Sequence, residues 1–109
     1  MIEETLAALA DPTRRGVVEL LRQEPRRAGE LARALETSAP AMSRHLKLLR
    51  QAGLVEPELV DEDARGRMYR LRFEPLHELR RWVDEVEQFW SGQLTAFQAH
   101  VEGTEEGPA

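Results

Sequence analysis

Polar and apolar positions along the 109-residue chain change their period several times, and each change marks an element. Ile2, Leu6 and Leu9 recur at helical spacing and predict a short first helix. Asp11-Pro12 then restarts the chain, because Asp caps the free N–H groups of a helix start and Pro fits the first turn. Val17, Val18, Leu20 and Leu21 carry an apolar stripe to about Gln23, and Pro25 ends it. Gly16 inside this helix costs roughly 1 kcal/mol relative to Ala, so its presence predicts a close packing contact.

Residues 28–35, AGELARAL, place Leu31, Ala32 and Leu35 on one face. Glu36-Thr37-Ser38 breaks the pattern and leads into SAPAMSRHLKLL, residues 38–49. Ser38 is the expected N-cap, and Pro40 gives up only an N–H that a first turn does not use. Met42, Leu46 and Leu49 stand at i, i+4 and i+7, one buried stripe, and Gly53 supplies the stop. Two helices joined by a turn of about three or four residues form a helix-turn-helix pattern.

Beyond Gly53 the period shortens. LVEPELV (54–60) and RMYRLRF (67–73) read as strands flanking the turn-rich Asp61-Glu62-Asp63-Ala64-Arg65-Gly66, which predicts a β-hairpin. Pro57 demotes its strand to an edge or a bulge. Tyr69 and Leu71 share a strand face and read as core. From Pro75 the helical period returns: Leu76, Leu79, Trp82, Val83, Val86, Phe89, Trp90, Leu94, Phe97 and Val101 step by threes and fours. That helix is about 40 Å long, more than a domain of this size covers with its own layers. The fold class expected is mainly α, a winged helix-turn-helix of about five helices with a two-stranded β-hairpin wing. Residues 1–101 form the expected domain, and the acidic, Gly-containing stretch 102–109 is the expected disordered tail.

Charge changes the picture more than composition does. The net charge of −5 argues against a polyanion partner, yet its distribution argues for one. Residues 1–11 sum to −3 and residues 73–109 to −6, whereas residues 12–72 carry +4 and residues 12–50 alone +5. A basic centre between acidic ends suits a domain that presents one face to nucleic acid. With no Cys there is no disulfide, thiolate metal site or cysteine nucleophile. The acidic, amphipathic start is no signal peptide and no apolar run is long enough to span a membrane, so the expected compartment is the cytoplasm.

Candidate chemistry then falls on residues 38–49. The second helix of such a pattern enters the major groove, which is about 12 Å wide. Opposite the Met42–Leu46–Leu49 stripe stand Pro40, Ala41, Ser43, Arg44 and Lys47. Arg44 has the planar fork that matches the O6/N7 edge of guanine. Ser43 can donate to a base or phosphate, Pro40 or Ala41 can meet a thymine methyl, and Lys47 suits phosphate. His45 sits beside the buried stripe and reads as a packing or phosphate-contacting residue sooner than a base reader. Arg65 and Arg67 at the hairpin tip are candidate backbone or minor-groove contacts, opposed by the acidic Asp61, Glu62 and Asp63 next to them. His45, His77 and His100 are isolated, no Gly-rich phosphate loop is present, and the paired carboxylates lie on polar faces, so no enzyme is expected.

Three segments, LADPTRRGVVELL (9–21), ELARALETSAPAMSRHLKLLRQAGLVE (30–56) and GRMYRL (66–71), resemble the ArsR family of winged-helix transcriptional regulators. The resemblance implies a homodimer, joined through its first and last helices, that binds a pseudo-palindromic operator and usually represses. Ile2, Leu6, Leu9, Trp82, Val86, Phe89, Trp90 and Phe97 are then the interface residues. Many relatives sense metals through a cysteine pair on the first helix of the helix-turn-helix, where this chain has Gly29-Glu30-Leu31-Ala32. A second site type uses Asp and His on the last helix; His77, Asp84, Glu87 and His100 supply the atoms without the spacing. No metal or cofactor is expected, and no motif names an effector. The expected partners are double-stranded DNA and a second copy of the chain. The other reading the residues allow is a winged-helix module that docks on protein instead of DNA.

Overall fold

Helix ends decide where this chain turns. The computed structural model describes residues 2–58 and 67–105, with side chains described through residue 100. In order, the elements are α1 (Ile2–Leu9), α2 (Pro12–Leu21), β1 (Arg26–Arg27), α3 (Ala28–Ala34), α4 (Ala39–Gln51), β2 (Val55–Glu58), β3 (Met68–Leu71) and α5 (Glu74–Glu105). They divide into two units, one through Leu79 and one from Arg80 onward.

At the α1–α2 corner a helix C-terminus meets a helix N-terminus. Asp11 caps α2 by accepting from the backbone N–H of Arg14 at 3.1 Å. α1 carries no basic residue in its own last turn. Its terminal carbonyls are satisfied from α2 instead: Arg14 Nε donates to the Ala8 carbonyl at 2.7 Å and Arg15 to the Leu9 carbonyl at 2.8 Å. Gly16 makes the close contact its presence predicts, since a Cβ there would stand 2.7 Å from Leu35 Cδ2.

Both helices of the helix-turn-helix end in the same device. After α3, the Thr37 N–H donates to the Ala32 carbonyl and the Glu36 N–H to the Arg33 carbonyl. After α4, Leu54 N–H donates to Leu49 and Gly53 N–H to Arg50. These paired bonds are Schellman motifs, which require a left-handed residue at the turn. Gly53 provides it at φ 77°, and Glu36 does so at φ 52° although it is not glycine. Ser38 then caps α4 by accepting from the Ala41 N–H at 3.2 Å.

The core of the first unit draws Ala8 from α1, Val17 and Leu21 from α2, and Leu31 and Ala32 from α3. Met42, Leu46 and Leu49 come from α4, Leu54 and Val55 from the start of β2, and Leu71 from β3. Leu76 in the first turns of α5 packs against it, as do Tyr69 and Leu9.

The wing departs from the sequence reading in one respect. Its sheet has three antiparallel strands in the order β1-β3-β2, because Arg26 and Arg27 pair with Tyr69 and Met68. A two-residue strand leaves no periodic signature, and its backbone simply completes the free edge of β3. β2 pairs with β3 in the register Val55↔Leu71 to Glu58↔Met68, which leaves Pro57 on an edge strand. The hairpin tip, including Arg65, lies outside the described residues.

The second unit is the remainder of α5. The helix continues to Glu105, past the Val101 at which its stripe ends. Each residue from Arg80 to His100 is exposed, including its apolar ones.

Glu36 holds a conformation that costs an L-residue about 1 kcal/mol or more, so Glu36→Gly raises stability by about 1 kcal/mol. Denaturant unfolding checks this, and Glu36→Ala, which keeps a Cβ, gives no comparable gain.

Candidate nucleic-acid interface

α4 divides cleanly into two faces. Met42, Leu46 and Leu49 are buried, and Pro40, Ser43, Arg44 and Lys47 are exposed on the opposite side. Ala41 is half-buried, and Ser38 stands exposed at the cap. Among the described residues neither Arg44 nor Lys47 forms an ion pair, so both cations face solvent. The positive dipole end of α4, at Ser38–Ala41, precedes them on the same helix and favours an approaching phosphate.

The wing contributes less charge than its composition suggests. Arg67, just before β3, is exposed. Arg70 pairs with Glu56 across the sheet, and Arg72 bridges Glu56 at 3.6 Å and Glu74 at 3.2 Å. These two arginines are spent on the fold, and Arg67 is the described wing residue left facing outward.

His45 goes the other way. Only 20% of its side chain is exposed, its Nδ1 stands 3.3 Å from Arg14 Nη1 and 4.0 Å from Asp11 Oδ2. It is turned into the protein, toward the α1–α2 corner. Position 45 follows Met42 by three and precedes Leu49 by four, so its place on the inner stripe was readable from spacing. Arg14 was missed, because nothing in the sequence shows that its guanidinium folds back across the corner. The Asp11 carboxylate is held below its ordinary range, first by the Arg14 backbone N–H and then by the Arg14 charge.

The residues expected between two copies fall into two groups. Phe89, Trp90 and Phe97 on α5 are 68%, 63% and 67% exposed, with Trp82 and Val86 on the same run. On α1, Leu6 is exposed and Ile2 half-buried, whereas Leu9 packs on the core of its own chain. Val83 and Leu94 extend the exposed stripe. Among the described residues no group of three His, Cys, Asp or Glu is placed to hold a metal ion, and no helix is long and apolar enough to cross a membrane.

A helix-turn-helix whose second helix is anchored by one apolar stripe and bears a free cationic face, followed by a small sheet, defines a winged-helix regulator. The comparisons agree: residues 9–58 match the model of a helix-turn-helix domain. An HTH-type transcriptional regulator of Mycobacterium tuberculosis, Rv2034, is 44% identical over 91 residues, covering 83% of this chain and 78% of that one. An ArsR-like transcriptional regulator from Rhodococcus sp. RHA1 superposes with a TM-score of 0.80 at 28% identity, over 94% of this chain and 91% of that one. The homodimeric winged helix-turn-helix DNA-binding domain of Mb0332 from Mycobacterium bovis superposes with a TM-score of 0.61 at 26% identity, over 80% and 78%. The chain belongs to the ArsR family of winged helix-turn-helix transcriptional regulators, a family of regulators and not of enzymes.

Because the folded state holds Asp11 more strongly as the anion, its contribution is complete above the ordinary carboxylate range and is lost as pH falls through its lowered value. Asn at position 11 still caps α2 but does not titrate. Wild type therefore loses more stability on acidification than Asp11→Asn, and thermal melts across the acid range check it; parallel curves contradict it.

Proposed function

We propose that the chain acts as a homodimer that binds double-stranded DNA at a pseudo-palindromic operator, one α4 in each half-site, and represses the gene it covers. The observation that carries this reading is the exposed Pro40–Ser43–Arg44–Lys47 face set over buried Met42, Leu46 and Leu49. Arg44 reads a guanine edge, Ser43 and the α4 N-terminus meet base or phosphate, and Lys47 neutralises phosphate. Arg67, with Arg65 of the hairpin tip, supports the wing's contact with backbone. A dimer seated over a promoter blocks polymerase, so the sense of control is repression. DNA as ligand places the protein's work in the cytoplasm.

The second half of the reading rests on α5. An exposed Trp/Phe/Val/Leu stripe running from Trp82 to Phe97, about four turns long, is far more apolar surface than a monomer keeps in water. A second copy covers it symmetrically, with Ile2 and Leu6 of α1 added at the margin. Two recognition helices then lie about 34 Å apart, one turn of duplex.

Operator affinity is expected to fall steeply on a log–log salt plot, and Arg44→Ala to cost about 1–3 kcal/mol while relaxing sequence preference. Duplexes selected from a random pool provide the ligand, and affinity indifferent to both salt and Arg44 overturns the assignment. Phe89→Glu leaves the monomer folded, since the side chain is exposed, but shifts light scattering to the monomer and weakens operator binding. A dimer that survives both Phe89→Glu and Trp90→Glu removes α5 from the interface.

A further inference from the structure

His45 is the residue of α4 whose geometry the DNA reading does not use. Arg14 has donors only, so at 3.3 Å its Nη1 donates and His45 Nδ1 accepts. The bond needs Nδ1 bare, with the ring proton on Nε2. The same guanidinium donates through Nε to the Ala8 carbonyl at 2.7 Å and through Nη2 to the Ala7 carbonyl at 3.3 Å. Asp11 fixes the backbone of Arg14 through its N-cap bond and stands 4.0 Å from the imidazole. One side chain thus ties together the C-terminus of α1, the N-terminus of α2 and the middle of α4.

We propose that Asp11, Arg14 and His45 form a positioning junction that fixes the rotation of α4 about its axis, with His45 acting through Arg14 and not on DNA. The proposal rests on the reading that α4 enters the groove. Met42, Leu46 and Leu49 hold α4 in the core, but apolar contact is non-directional and tolerates small rotations and slides. A hydrogen bond has a preferred direction and length. Arg44, one residue before His45, must hold its fork within about 0.5 Å of a base edge to make two bonds at once. The Arg14–His45 bond is a polar link, one residue along α4 from Arg44, that sets that angle. It also joins α4 to α1, a helix assigned to the dimer margin, so the pairing of two copies and the setting of the reading helix share one bond.

Asn and Gln separate the two roles of a histidine. The Asn carboxamide oxygen replaces the Nδ1 acceptor that faces Arg14, and the Gln amide reaches where Nε2 meets an outside partner. In the full dimeric chain, bound to a duplex selected by wild type, His45→Asn is expected to stay within about twofold of wild type and His45→Gln to bind roughly tenfold more weakly. Neither changes the slope of the salt plot, since no phosphate contact is lost. Arg14→Gln, which also loses the bonds to the Ala7 and Ala8 carbonyls, costs less when added to His45→Gln than when added to wild type, because the bond the two residues share is lost only once. Retention by Gln with loss by Asn, equal retention by both, or a salt slope reduced by one phosphate overturns the junction. Should wild type select no duplex, the α4 reading falls and the junction with it. Should Arg44→Ala relax sequence preference while both His45 variants bind like wild type, the α4 reading stands and the junction alone is wrong.

Discussion

α4 has to be buried on one side and left wet on the other, and the remaining elements of the first unit are arranged to satisfy that. It packs against α1, α2, α3 and β2. The completely buried Leu49 and Met42 meet Leu31 of α3, Val17 of α2 and Leu54 at the entrance to β2 within one cluster. Burying three such side chains contributes on the order of 1.5–3 kcal/mol each, which orders the helix without help from the polar face. Because the polar face is not needed for folding, its side chains are free to be chosen for what they bind.

Directional bonds then set the angles that apolar packing leaves loose. Two Schellman motifs, at Glu36 and Gly53, stop α3 and α4 at defined residues and turn the chain by left-handed steps. The α1–α2 corner uses charge of both signs: a carboxylate at the helix start and two guanidinium groups on the carbonyls of the helix that has just ended. Dipole ends that would be exposed or buried unpaired are each matched by the opposite charge. Pro57 limits β2 to an edge and Glu56 gathers Arg70 and Arg72, so the sheet is finished by local polar pairing more than by core.

Much of this was legible in the sequence because strong local signals agreed with each other. Asp11-Pro12 and Ser38 with Pro40 mark helix starts, Met42, Leu46 and Leu49 give an unambiguous period, Gly53 stops α4, and Gly16 marks a tight contact. What escaped had no local signal to give. β1 is two residues long and exists because β3 offers an edge. The left-handed turn at residue 36 carries Glu where a Gly or Asn would have announced it. Arg14 looks like any solvated helix arginine until the fold brings His45 opposite it. The exposed face of α4 was legible, and so was the place of His45 beside the buried stripe, but not the Arg14 guanidinium that it meets.

The exposed stripe on α5 bears on how the regulator responds to its own abundance. On the proposed pairing, chains are mostly single when their concentration lies below the dimer dissociation constant, and the amount of dimer then grows as the square of total chain. A twofold change in synthesis becomes a fourfold change in the species that fills the operator. The apolar surface of one helix thereby sets a threshold, and a small protein with a single reading helix per copy acquires a steep dose response without any ligand.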